Sequence, residues 1–122
     1  MIIHIDHHSG VAIYRQIVEQ ARRQILTGAV ADGQRMPTVR DLAEELKVNP
    51  MTVSKAYGIL ENEGLLARKR GVGLFIKGGR PDEQRMKKEI LEKILRKAAV
   101  TAVQLDMDVD QAAKMFVAEY ER

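Results

Sequence analysis

Thr52, Ser54 and Lys55 fall within four residues of one another, directly after the pair Asn49-Pro50. Arg40 stands upstream of them, and downstream the basic run Arg68-Lys69-Arg70 leads into Gly71-Val72-Gly73. Hydroxyl, ammonium and guanidinium groups donate hydrogen bonds to oxyanions and to the polar edges of planar rings, and here no catalytic base stands beside them. The chemistry they point to is recognition of a polyanion rather than catalysis. No Ser, His and acid set lies in a recognisable context, no glycine-rich phosphate loop follows a strand, and the Gly71-x-Gly73 pair belongs to a hairpin tip. His4, His7 and His8 have no metal-site spacing, and Asp106, Asp108 and Asp110 lack the glycine and closing glutamate of a calcium loop. Those aspartates read instead as helix-start charge favoured by the helix dipole. The expectation is a chain that is not an enzyme, with no catalytic residue, no metal site and no cofactor.

These side chains need elements to hold them. Asn is a favoured N-cap and Pro suits the first helical position, so a helix starts at residue 50 and runs to 63, before Gly64. Along it Val53, Ala56, Tyr57 and Leu60 recur at helical spacing and face a core. A shorter helix precedes it, opened by Thr38 with Asp41 three residues on, an approximate capping box, and ending near Leu46. Two helices joined by about three residues make a helix-turn-helix. Further upstream, Ile13, Ile17, Ala21 and Ile25 mark a first helix from Val11, with Ser9 as N-cap and Gly28 as its stop. Ile2, Ile3 and Ile5 suggest a short extended arm before it. Leu65-Leu66-Ala67 and Leu74-Phe75-Ile76 flank the basic glycine turn as a β-hairpin, with the wing over 68–76.

At 122 residues the chain has room for one small domain with an appendage. Gly78-Gly79-Arg80-Pro81 marks the division, giving domains 1–80 and 81–122. Lys and Arg exceed Asp and Glu by 12 to 8 through residue 80, hence +4, while 81–122 carries 8 against 9, hence −1, which together make the net +3. A basic excess confined to the first part fits a polyanion partner. Without cysteine there are no disulfides or thiolate sites. With neither a leader-like N-terminus nor a long apolar run, the expected location is cytoplasmic, with no membrane contact.

The order helix, helix-turn-helix, hairpin describes a winged helix: the fold class is mainly α with a small β-hairpin wing. An α-helix fits the major groove of DNA, where each base pair shows a distinct donor and acceptor pattern, and a hairpin reaches the neighbouring minor groove. Met36-Pro37-Thr38-Val39-Arg40-Asp41-Leu42-Ala43, Val48-Asn49-Pro50-Met51-Thr52-Val53, Leu60-Glu61-Asn62-Glu63-Gly64-Leu65 and Gly71-Val72-Gly73-Leu74-Phe75-Ile76 resemble the DNA-binding domain of GntR-family bacterial transcription regulators. The resemblance covers roughly residues 11–77. Asn49-Pro50, the Ser54-Lys55-Ala56-Tyr57 run and the short tail are similar to its YtrA-like branch. It implies a dimeric repressor of an inverted-repeat operator in double-stranded DNA, often beside transporter genes. By position it implies DNA-contacting roles for Arg40, Thr52, Gly71 and Gly73; the first turns of the recognition helix and the basic hairpin edge add Ser54, Lys55, Tyr57, Arg68, Lys69 and Arg70 as candidate DNA-binding residues. Pro50 stands where many relatives have an arginine and Ser54 where some have another, a departure that implies more of the readout falls to Lys55 and Arg40. Competing uses are an ion pair of Arg40 with Asp41 or Glu44, helix-carbonyl bonds from Thr52 and Ser54, and a charged edge that keeps the hairpin from aggregating.

The last 42 residues carry two amphipathic stripes, one through Met86, Ile90, Ile94 and Leu95, the other through Val109, Ala113, Phe116 and Tyr120. Two helices alone cannot bury stripes of that width. A second copy of the chain is the expected cover, giving a homodimer through Ile90, Ile94, Leu95, Val109, Phe116 and Tyr120. The residues specify no small-molecule effector. The alternative is a winged helix used only for protein–protein contact, whose mark would be an acidic recognition face; Arg40 and Lys55 oppose it.

Overall fold

The computed structural model describes every residue from Met1 to Arg122. The order of elements is α1 (Ile13–Leu26), α2 (Val39–Leu46), α3 (Pro50–Asn62), β1 (Leu66–Lys69), β2 (Gly73–Ile76), α4 (Glu83–Gln104) and α5 (Val109–Tyr120). The chain divides into two compact units, Met1–Glu83 and Gln84–Arg122. No helix is long and apolar enough to cross a membrane.

In the first unit α3 is central, packing on α1, α2 and β1. Its inward residues Val53, Ala56, Tyr57 and Leu60 are buried, meeting Ile17, Ala21 and Ile25 of α1, Leu42 and Ala43 of α2, and Leu65, Leu66 and Ile76 of the hairpin in one core. The helix starts are local chemistry. Thr38 accepts the amide of Asp41 at 3.1 Å, and Asn49 accepts that of Met51 at 2.8 Å with Pro50 in the first turn. Only the Thr38 half of the capping box forms, because the Asp41 side chain is one methylene shorter than the usual glutamate. Between α2 and α3, Lys47 turns the chain in the left-handed region at φ 56°, and the Val48 amide bonds the Ala43 carbonyl at 3.0 Å.

Three features differ from the sequence reading. Ser9 does not cap α1: the N-cap position is Ala12, without a side-chain bond, and Ser9 Oγ accepts from the Val11 amide and the Gln16 side chain. The loop expected near residue 34 is tied to β2 of the two-stranded wing by an isolated bridge at Arg35. Gly33 N–H bonds Ile76 O, Ile76 N–H bonds Gln34 O, and Met36 N–H bonds Leu74 O, each at 2.8 Å, with Arg35 opposite Phe75. The extended arm is held by side chains rather than by a strand. The Gln24, Gln20 and Gln16 amides each give and take a bond with the backbone of Ile2, His4 and Asp6 respectively, at 2.6–3.1 Å. Alternate residues of an extended chain turn the same backbone edge toward the helix, and glutamines four apart share one helix face. Ile3 between them is buried.

The second unit comprises α4 from Gln84 onward and α5. Asp106 reverses the chain at φ 55°, and Asp108 caps α5 by accepting the Asp110 amide at 3.0 Å. No residue of either helix is buried.

Candidate nucleic-acid interface

α3 is fixed to the core by one face, which leaves its N-terminal half free on the other. Thr52 is half-exposed and Ser54 exposed, and neither hydroxyl donates to a helix carbonyl or makes any other hydrogen bond within the protein. Lys55 is exposed, its Nζ 3.9 Å from the centre of the Tyr14 ring on α1. A cation over an aromatic face gains about 0.5–1 kcal/mol at an exposed site, enough to bias the lysine rotamer without neutralising its charge. Arg40, in the first turn of α2, is exposed and pairs with neither Asp41 nor Glu44.

Tyr57 is placed differently from the other candidates. It is 3% exposed and its hydroxyl donates to the Pro37 carbonyl at 2.8 Å. Burial, and secondarily the Glu45 carboxylate, raise its pKa above the ordinary tyrosine value. Its ring thus packs in the core, and its hydroxyl holds the residues before α2 against α3.

The wing brings four cations near its tip. Arg68 makes a two-pronged pair with Glu61 of α3, at 3.1 and 3.3 Å, and stays largely open to solvent. Lys69 Nζ lies 4.4 Å from the Phe75 ring centre, while Arg70 is exposed and unpaired. The turn between the strands closes with Val72 N–H on Lys69 O at 3.0 Å and needs Gly71 at φ +76°, a conformation L side chains rarely adopt. Gly73 follows at φ +134°. The fourth cation is Arg35, which the sequence motifs did not single out. Between α3 and the wing runs a groove of about 330 Å³ lined by Arg35, Thr38, Ser54, Tyr57, Arg68 and Gly73, among others.

The structure thus brings Ser54, Arg68 and Gly73 together along the groove and leaves Arg40 and Lys55 outside its lining. The tail candidates lie in the other unit. Ile94, Leu95, Val109, Phe116 and Tyr120 are exposed, from 41% at Leu95 to 84% at Tyr120, and Ile90 is half-exposed.

Comparison with known proteins agrees with this architecture. Residues 13–76 match the family described as bacterial regulatory proteins, gntR family. The chain is 44% identical over 75 residues to the HTH-type transcriptional repressor YtrA of Bacillus subtilis, a match spanning 62% of this chain and 58% of that protein. Among solved structures it is similar to YtrA from Sulfolobus acidocaldarius, a GntR-family transcription factor, with a TM-score of 0.61 and 32% identity over 79% of this chain and 99% of that one. It is also similar to the AraR DNA-binding domain solved in complex with operator ORX1, with a TM-score of 0.52 and 26% identity over 62% and 98% of the two chains.

Proposed function

The chain belongs to the GntR family of bacterial regulatory proteins, transcriptional regulators that bind DNA through a winged helix, and from that premise we propose that it is a homodimeric repressor of a pseudo-palindromic operator. The observation that carries the reading is the free polar opening of α3. Thr52, Ser54 and Lys55 project from a helix whose other face is locked in the core, with Arg40 unpaired nearby and the wing cations beyond. In this reading α3 enters the major groove, where Lys55 and the two hydroxyls meet base edges. Arg40, Lys69 and Arg70 meet phosphate, and the glycine tip at Gly71 and Gly73 approaches the adjacent minor groove. Arg68 contributes through whatever charge its Glu61 pairing leaves. The work is done in the cytoplasm, where the DNA lies.

The two-fold partner is a second copy of the chain, joined through the tail. Supporting this, the second unit has no buried side chain of its own, while Ile94, Leu95, Val109, Phe116 and Tyr120 stand in water. Exposed apolar stripes of this width on amphipathic helices mark an interface. A two-fold dimer reads two half-sites about one helical turn apart.

The test is a fluorescence-anisotropy titration of random duplex and of fragments from upstream of the protein's own gene, at two salt concentrations. Tight, salt-sensitive binding to one upstream fragment over random duplex is the expected result. Equal weak binding to every duplex would overturn the operator reading in favour of a protein-contact module.

A further inference from the structure

We infer that Arg35 is a further DNA-contacting residue, seating a backbone phosphate in the groove between α3 and the wing. The inference rests on the operator-binding reading above. If α3 occupies a major groove and the wing the adjacent minor groove, the sugar–phosphate strand dividing those grooves has to cross the space between helix and wing. In this protein that space is the groove lined by Arg35, Ser54, Arg68 and Gly73.

The geometry singles out Arg35 among the cations there. Its backbone is fixed against β2 by an isolated bridge to Phe75, flanked by the Ile76–Gln34 and Met36–Leu74 hydrogen bonds. Directly opposite residues in an antiparallel pair point to the same face, so Arg35 shares a face with Phe75, and with Gly73 two residues along. Its guanidinium crosses Gly73: a Cβ there would stand 3.5 Å from Arg35 Nε. The other arginine lining the groove, Arg68, is committed to Glu61. Arg35 donates to no protein group. A permanently charged fork of five donors, held on a sheet and left without an acceptor, suits bidentate binding of a phosphate oxygen pair. The Ser54 hydroxyl on the opposite wall, also unpartnered, supplies another donor. A contact to the sugar–phosphate strand carries no sequence information, so Arg35 contributes affinity and register rather than base choice.

The experiment compares the wild-type chain with Arg35→Gln and Arg35→Lys by anisotropy on random duplex and on the preferred upstream fragment, from 50 to 200 mM salt. Thermal melting of each variant should match wild type, since the Arg35 side chain has no protein partner. Arg35→Gln is expected to weaken both duplexes by the same factor and to lower the slope of log K against log salt by about 1. With about 0.9 of slope per phosphate, the wild-type advantage shrinks about 3.5-fold across that fourfold range of salt. Arg35→Lys keeps the charge and is expected to keep the slope. An Arg35→Gln chain with the wild-type slope overturns the inference alone, and so does a loss confined to the preferred fragment, which would mean a base contact. A wild-type chain that binds no duplex overturns this inference together with the regulator reading.

Discussion

The two units of this chain are both built mainly of regular helix, and they differ in what the helices do with their apolar faces. In Met1–Glu83, Ile17, Val53, Leu60, Leu65 and Ile76 are all at most 2% exposed. In Gln84–Arg122 the corresponding side chains, Ile94, Leu95 and Phe116, are each more than two-fifths exposed. Backbone hydrogen bonds satisfy both, but a helix in water draws most of its stability from packing an amphipathic face. The first unit buries its own apolar face, while the second leaves its apolar stripes exposed.

Changes to the buried core sharpen that contrast most. Leu60→Ala is expected to lower the unfolding free energy of the first unit by about 2–5 kcal/mol, read from urea unfolding, at any protein concentration. A loss below about 1 kcal/mol would show a core far looser than the burial implies. The same core gives an alkaline limit. With its folded pKa raised above the unfolded value of about 10, Tyr57 keeps its proton in the native state after the unfolded chain has lost it. The stability tied to that proton is fully present below about pH 10 and falls as pH rises beyond it. Tyr57→Phe, melted across pH 8 to 11, should lose the Pro37 hydrogen bond at all pH values yet decline less steeply than wild type above pH 10.

Under the proposed dimer, the tail is expected to answer to concentration instead. Ile94→Asp and Phe116→Asp are each expected to weaken the dimer by about 2–3 kcal/mol, up to roughly a hundredfold, by burying an unpaired charge. Sedimentation velocity should show monomer, while the melting of the first unit stays put; an unchanged dimer would remove the tail from the interface. The smallest change is Asn49→Ala, which removes the cap at the start of α3 and is expected to lower the stability of the first unit by about 1 kcal/mol. A wild-type melting temperature for that variant would show the cap to be dispensable.

The features legible in the sequence are those fixed by neighbours in the chain. Asn49-Pro50 starts α3 because cap and first turn lie within three residues, and Gly71 marks the hairpin because a positive φ is needed at that residue. The tail helices declare themselves by stripe alone. Long-range pairings left no such mark. Gln16, Gln20 and Gln24 look like a solvent-facing row until the arm lies against them, and Gln16 then pulls Ser9 away from capping duty. The segment 33–36 meets β2 through a single bridge and shows no alternation, so its pairing left no mark in the sequence, and Arg35 with it. Tyr57 follows the core spacing of α3, and it is buried.

The glutamine ladder at the N-terminus works as a vernier. Each rung advances the extended arm by two residues, about 6.7 Å, and the helix by four, about 6.0 Å. The mismatch of about 0.7 Å per step is small enough for two steps to be absorbed by rungs of 2.6–3.1 Å. A longer ladder would slip out of phase, and an insertion of one residue in α1 between Gln16 and Gln20 would rotate the later rungs off the face altogether. The two scales coincide only over this short length, which limits the ladder to a few rungs.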